Sequence, residues 1–204
     1  MIDRVLFDWA PITVATVAVA VALDWLLTHA GARASARVRH VWEGEGSYEM
    51  NPTWEQAVDS GKRFNWRIVG ATALLVGLLL AVRYVPGLAD LDPAFFALAV
   101  GAVMLVQTPI FMTHAGNLQT FRTLADPTAV SGRIVMHRWF LHGESAWLFG
   151  RFAVLWLALW VPSQQAFFLG GAIGCLALSR QMFRLRNEAR FAAPAPDAPA
   201  GAGT

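Results

Sequence analysis

Five stretches of the chain are almost wholly apolar, and each is separated from the next by a segment rich in charged residues, Gly or Pro. The stretches run approximately over residues 10–28, 68–88, 94–112, 146–162 and 166–183. About 20 apolar residues in a helix, at 1.5 Å each, cross the roughly 30 Å hydrocarbon core of a bilayer. The sequence therefore predicts an all-α fold, a polytopic transmembrane bundle of about five spans that forms one domain over residues 1–190.

The first apolar stretch lies near the N-terminus and has to be weighed as a cleaved signal peptide. Arg4 is offset by Asp3 and Asp8, which is a poor charge balance for a signal peptide. An arginine cluster at residues 33–39 follows the stretch and is typical of a cytoplasmic anchor. We interpret this stretch as a retained span.

Lys and Arg are concentrated on one side of the predicted membrane. With the N-terminus outside, thirteen of them lie inside and only Arg4 and Arg83 lie outside. The inner thirteen are Arg33, Arg37, Arg39, Lys62, Arg63, Arg67, Arg122, Arg133, Arg138, Arg180, Arg184, Arg186 and Arg190. Because cytoplasmic loops near spans are enriched in Lys and Arg, we predict an external N-terminus and a cytoplasmic C-terminus, in the plasma (inner) membrane. The cytoplasmic loops are then residues 29–67 and 113–145.

The two predicted outer connections are short, and they lie around residues 86–93 and 162–165. Short links predict that spans two and three, and spans four and five, pack as antiparallel hairpins. The C-terminal residues 191–204 are an Ala/Pro/Gly segment that cannot bury a core, so we predict that they are disordered.

The first inner loop contains a short predicted helix. Asn51 before Pro52 predicts an N-cap with Pro at the first helical position, and the helix runs through Val58 and is ended by Gly61. This register directs Trp54 and Ala57 toward the membrane or bundle, and Glu55 and Asp59 toward water.

Composition agrees with a membrane protein. Hydrophobic residues make up 56% of the chain and charged residues 15%, well below the roughly 25% charged that is usual in soluble domains. The pI of about 9.2 does not indicate a nucleic-acid partner, because the basic residues recur between apolar stretches and form no single patch. The one cysteine, Cys175, excludes a disulfide framework within the chain.

Small residues in the fifth stretch predict a close helix contact. Gly170 and Gly174 form a Gly-x3-Gly pair, which lets a neighbouring backbone approach. The neighbour can be another span of the same chain or a second copy, and the intramolecular contact is the one we favour.

Polar residues gather near the cytoplasmic ends of spans one, three and four. Ionisable groups inside spans are costly to bury, so each is a candidate functional group. The candidates for a ligand site or polar cluster are Asp24, Thr28, Glu49, Asn51, Gln107, His114, Asn117, His142, Glu144 and Arg151. From their depths in the helices we predict that Asp24 pairs with Arg151, or that both share Glu144. A structural polar network, a ligand or catalytic site, and solvated helix ends all remain open.

Part of this pattern resembles a known family. Asp24-x3-Thr28 at the end of a first span, followed by Glu49-x-Asn51-Pro52 before a second, is similar to a family of small uncharacterised multi-pass prokaryotic membrane proteins. The similarity covers about residues 20 to 85, and the segment between the two motifs is longer here than in the family. The resemblance implies a similar first hairpin and the grouping of these polar residues, and it implies no activity.

Three functions follow as hypotheses. The first is a non-enzymatic scaffold or accessory subunit, whose basic loops contact anionic lipid or a membrane partner, a second copy included. The second is a membrane-embedded hydrolase in which His114, His142 and Glu144 bind a divalent metal, with Glu49 or Asp24 as alternative carboxylates. The third is a small transporter or channel component. The sequence contains no phosphate loop, dinucleotide fingerprint, metalloprotease helix or Gly-x-Ser-x-Gly elbow, and it assigns no catalytic residue.

Overall fold

A computed structural model describes residues 1–44, 48–49, 51–61, 64–85 and 92–192. Those residues form α1 (Ile2–Asp8), α2 (Ala10–Arg37), β1 (Trp42–Gly44), α3 (Pro52–Asp59), α4 (Trp66–Tyr84), α5 (Pro93–Leu124), β2 (Ile134–Met136), α6 (Arg138–Ser163) and α7 (Ala166–Ala192). The predicted all-α class is confirmed. Five helices, α2, α4, α5, α6 and α7, are long and apolar enough to cross a membrane, and they coincide with the five predicted stretches.

One end of the bundle, which we call the α1 end, holds α1, the C-termini of α4 and α6, and the N-termini of α5 and α7. The Asp3 carboxylate accepts hydrogen bonds from the backbone N–H groups of Ala166 and Phe167 at 2.7 and 3.1 Å. It thereby satisfies N–H groups that the first turn of α7 cannot satisfy itself. Arg83 donates from Nε to the Phe7 carbonyl at 3.2 Å and lies 4.4 Å from the Phe7 ring centre. These contacts attach α1 to α4 and α7.

The opposite end, which we call the α3 end, carries small elements between the long helices. Strands β1 and β2 pair in parallel, with Glu43 opposite Val135. The Arg133 guanidinium forms an ion pair with Glu43 across this pair of strands. Val38 and Phe121 are buried beneath the strands. The sequence did not predict the strands, because three residues are too few to show an alternating pattern.

Helix α3 begins as predicted from Asn51 and Pro52. The Asn51 side-chain oxygen accepts from the Thr53 backbone N–H at 3.1 Å, and Gly61 has the positive φ of 67° that ends the turn. The prediction that Glu55 faces water is wrong. Both Glu55 carboxylate oxygens accept from Arg138, at 3.1 and 2.9 Å, so α3 is fixed to the start of α6.

Helices α5, α6 and α7 form the closely packed side of the bundle. A Cβ added to Gly170 would lie 2.0 Å from the Leu98 carbonyl oxygen, and one added to Gly174 would lie 2.4 Å from that of Ala102. Gly101 faces the Phe167 carbonyl in the same way. The glycine pair of the fifth stretch therefore lies against α5 of the same chain. Helix α7 also packs extensively against α6, as the predicted hairpin requires.

Helix α4 is packed much less. Leu79 is its one buried residue, and its main contact is with α2, with a smaller one to α5. The predicted hairpin of spans two and three is therefore wrong as a packed pair, although α4 and α5 are neighbours in the chain. Helix α5 instead packs against α7 and α2.

Some sequence predictions fall outside the described residues. These are the 86–91 part of the first outer connection, Lys62 and Arg63, and residues 193–204 of the predicted tail. The helix α7 continues through Ala192, two residues into the segment that the sequence assigned to the tail.

Candidate functional site: a cavity between the helices

A cavity of ≈ 380 Å³ opens between α2, α4, α5, α6 and α7, next to the segment that enters α3. Its volume is in the range of roughly 300–1,000 Å³ that is usual for small-molecule sites. The cavity has a polar part, lined by Asp24, Thr28, Tyr48, Glu49, Asn51, His114 and Asn117. The rest of its wall is mostly apolar. A concave site with few polar groups and a larger apolar wall is the usual form of a ligand pocket.

His114 is the centre of the polar part. Its Nε2 lies 2.9 Å from Asp24 Oδ1 and 3.4 Å from Thr28 Oγ1. Asp24 and Thr28 are four residues apart and so lie on one face of α2, which explains why one imidazole reaches both. The carboxylate and the hydroxyl share one ring nitrogen. In a Ser-His-Asp triad the acid and the nucleophile contact different ring nitrogens, so this arrangement does not match a triad.

Tyr48 closes one side of the polar part. Its hydroxyl accepts a hydrogen bond from Asn117 Nδ2 at 3.3 Å. The ring lies directly against the backbone of Gly31 in α2, where an added Cβ would be 2.1 Å from the Tyr48 hydroxyl oxygen. Gly31 is buried, and its missing side chain is what gives Tyr48 its place beside α5. Burial raises the pKa of the Tyr48 hydroxyl, so the group stays protonated.

Glu49 adds a second carboxylate to the cavity. Its Oε1 accepts from the Asn51 backbone N–H at 2.8 Å. Burial raises the pKa of the Glu49 carboxyl, and the nearby charges of Asp24 and Glu55 act in the same direction. The Asn51 N–H and His114 oppose this shift of the Glu49 pKa but do not cancel it. Glu49 is thus a carboxyl group whose charged form is disfavoured in the absence of a ligand.

The apolar walls come from helices that do not close on each other. Ile68 and Leu75 of α4 form one wall, and Leu148 and Phe149 of α6 contribute to the facing wall. No packed interface joins α4 to α6 among the described residues. Residues of both helices line the cavity, so part of its apolar wall lies between two helices that do not pack on each other. Trp25 and Trp54 line the cavity near its polar part.

The structure gathers six of the predicted site residues and leaves four out. Asp24, Thr28, Glu49, Asn51, His114 and Asn117 all line the cavity. Gln107 is buried in α5 but does not line the cavity. Glu144 and Arg151 are exposed on α6, outside the cavity lining. His142, the fourth, is buried at the start of α6.

The predicted pairing of Asp24 with Arg151, directly or through Glu144, is wrong. The Asp24 carboxylate bonds to His114 instead. Helical depth put Asp24 and Arg151 at similar levels, but it does not say which side of α6 faces α2. Arg151 is on the outer side of α6.

The metal site predicted from His114, His142 and Glu144 is not assembled. His142 is 2% exposed, and it does not line the cavity that contains His114. Glu144 points outward. Over the described ranges, no group of three or more His, Cys, Asp or Glu side chains is placed to hold a metal ion.

Sequence reasoning missed several residues that form the site. Tyr48 and Trp25 line the cavity, and the Glu55–Arg138 pair holds α3 beside it. One signal was available for Tyr48, since the chain has only two tyrosines and this one stands one residue before Glu49. No signal in the sequence links Glu55 to Arg138, because they are 83 residues apart.

The fold defines this chain as an all-helical protein with five helices long and apolar enough to cross a membrane. Comparison with family models, with curated proteins and with solved structures finds no match. The resemblance carried by Asp24, Thr28, Glu49 and Asn51 therefore stays a prediction.

Proposed function

We propose that the chain is a multi-pass membrane protein with the α1 end outside the cell and the α3 end in the cytoplasm. The support is the distribution of charge along the five apolar helices. Arg33, Arg37 and Arg39 are exposed at or beyond the end of α2, and Arg122 and Arg184 are exposed near the ends of α5 and α7. Arg4 and Arg83 are the basic residues of the α1 end within the described chain. Cytoplasmic enrichment of Lys and Arg favours this orientation.

The orientation can be tested with two single cysteines in a Cys175→Ala background. Arg4→Cys puts a thiol at the α1 end, and Ser60→Cys puts one just after α3; both positions are exposed. A membrane-impermeant maleimide applied to intact cells is expected to label the first and not the second, while both react after lysis. The opposite pattern would reverse the topology, and equal labelling of both in intact cells would refute it.

We further propose that the protein binds an amphiphilic molecule in the cavity and that this role is a binding role rather than a catalytic one. One observation carries the proposal: a polar cluster around His114 adjoins an apolar space lined by α4 and α6, two helices that do not pack on each other. In a bilayer, we expect the gap between these helices to face the hydrocarbon region, so that a molecule with a polar head and an apolar tail can enter from the membrane. The shared contact of Asp24 and Thr28 with one nitrogen of His114 supports binding over hydrolysis.

Cavity filling provides the test. Ala71 lines the cavity, whereas Ala73 is exposed two residues away on α4 and does not line it. Amphiphiles that share a dodecyl chain and differ in headgroup are titrated into purified protein in nanodiscs while its melting temperature is recorded. At least one is expected to stabilise the wild type and the Ala73→Trp variant but not Ala71→Trp. Equal stabilisation of both variants, or of no variant by any amphiphile, would contradict the proposal.

An accessory role at the membrane surface is compatible with this binding role. Arg33, Arg37, Arg39 and Arg67 are exposed at the α3 end. Each basic residue near an anionic bilayer gains about 1 kcal/mol. We propose anionic lipid headgroups as the partner of this basic surface. Replacing these four arginines with Gln is expected to reduce the number of anionic lipids that remain bound to the protein in native mass spectrometry.

A further inference from the structure

The charge of the cavity lining is one-sided. Asp24 and Glu49 contribute two carboxylates, and none of the described residues that line the cavity is Lys or Arg. Arg138, at the start of α6, donates to both carboxylate oxygens of Glu55. His114 can carry one positive charge at most, and it contacts Asp24. When both carboxylates are charged, the described lining therefore carries a net negative charge whether His114 is neutral or protonated.

Aromatic residues line the same cavity as these carboxylates. They are Trp25 of α2, Tyr48 in the segment before α3, and Trp54 of α3. The face of an aromatic ring attracts a cation, most strongly for Trp, and the attraction grows when water is excluded. Carboxylates together with Trp and Tyr faces are a chemical combination that suits an ammonium group.

We propose that the ligand of the cavity is a lipophilic cation, whose ammonium headgroup lies between Asp24, Glu49 and the rings of Trp25 and Trp54. Its hydrocarbon part lies along Ile68, Leu75 and the α6 wall, in the gap toward the membrane. This inference rests on the proposed binding function and specifies its ligand class. An anionic headgroup would meet two carboxylates in a lining whose described residues include no Lys or Arg. A neutral headgroup would gain no ion-pair attraction from either carboxylate.

The test uses four probes with the same dodecyl chain: trimethylammonium, primary ammonium, maltoside and sulfate. Each is titrated calorimetrically into the full-length protein in nanodiscs of neutral lipid. The two ammonium probes are expected to bind at least about tenfold more tightly than the maltoside, and the sulfate probe to bind most weakly. Asp24→Asn is expected to weaken ammonium binding about tenfold while changing maltoside binding little.

Glu144→Gln is the matched control, because it removes one negative charge from an exposed position outside the cavity. It is expected to leave the binding of all four probes unchanged. If Asp24→Asn does not fold, Glu49→Gln is expected to give the same selective loss and decides the question. Equal affinity for ammonium and maltoside probes would overturn the cation inference and leave the binding function standing. An equal loss in Glu144→Gln would also overturn it. Absence of binding by every probe would contradict both.

Discussion

The two sides of the bundle are built by different means. On the α5–α7 side, three glycines bring backbones together, and Val106, Ala146 and Cys175 fill the space between helices. On the α4 side, one buried leucine and contacts with α2 hold a helix that is otherwise exposed. The backbone contacts on the first side leave no room for a ligand between α5 and α7. The sparse packing of α4 leaves the space that forms the cavity.

This difference assigns separate roles to the two sides. Protein interiors are packed as densely as organic crystals, so a side chain forced between α5 and α7 has to displace backbone. Helix α4 can shift without breaking such contacts, because few exist. The closely packed side therefore serves as the support for the α5 groups of the cavity, His114 and Asn117, while α2 contributes Asp24 and Thr28 and α4 forms another wall.

The largest expected effect comes from adding bulk where the backbones touch. Gly170→Leu puts side-chain atoms against the Leu98 carbonyl, which is 2.0 Å from even a Cβ. We expect a loss of roughly 3 kcal/mol or more, since overpacking that moves backbone exceeds the usual 1–3 kcal/mol. Thermal unfolding in detergent, followed by size-exclusion chromatography, measures it.

Gly77→Leu is the matched control for that change. Gly77 lies in α4, and nothing is within 4 Å of an added Cβ there. We expect its melting temperature to remain within about 2 °C of the wild type, since surface substitutions usually stay within about 0.5 kcal/mol. Similar losses at both glycines would remove the contrast between the two sides.

The second effect concerns the ion pair that holds α3 beside the cavity. Glu55→Gln or Arg138→Gln removes one charge of a partly buried pair, in which the Glu55 side chain is 29% exposed and that of Arg138 is 24% exposed. We expect each change to cost roughly 1–2 kcal/mol, between the values for exposed and buried pairs. The double variant should recover part of that loss. The wild type, the two single variants and the double variant form a complete cycle. If the change in melting temperature of the double variant equals the sum of the changes in the single variants, the pair does not stabilise α3.

The third effect is a pH dependence confined to the cavity side. The Glu49 pKa is raised above its ordinary value of 4.5, so the folded protein binds this proton more tightly than the unfolded chain does. The resulting stabilisation is complete below pH 4.5 and is lost as the pH rises through the folded pKa. The melting temperature of the wild type minus that of Glu49→Gln should therefore fall as pH increases.

The groups around Glu49 are present in both proteins of that comparison, which isolates its titration. They are Asp24 on α2, His114 on α5, Glu55 on α3 and the adjacent Tyr48. A difference in melting temperature that stays constant from pH 4 to 8, or that grows with pH, would show that burial does not hold this carboxyl protonated.

The smallest expected effect is at Arg151. This residue is exposed on α6, and the described part of the chain gives it no ion pair. We expect Arg151→Gln to change stability by less than about 0.5 kcal/mol, as for other surface sites. A loss as large as that of Glu55→Gln would indicate a partner for Arg151 outside the described residues.

The sequence predicted the helices well because apolar length is a local property. All five apolar stretches correspond to long helices, and Asn51 and Pro52 marked the start of α3. The choice of partners was predicted less well. Asp24 was assigned to Arg151 rather than His114, since depth along a helix is readable from the sequence but rotation about its axis requires a strong polar stripe. The five helices that surround the cavity are apolar on nearly every face, so the stripe is weak.

Position 31 has a further consequence for the comparison of this chain with others of its kind. The Tyr48 ring occupies the volume that any side chain at Gly31 would need. Residues 31 and 48 are seventeen positions apart in the sequence, and the size of the side chain at one limits the size at the other. In homologous chains with the same fold, we expect a larger residue at position 31 to be accompanied by a smaller one at position 48. Such a paired change would indicate that those chains share this helix contact.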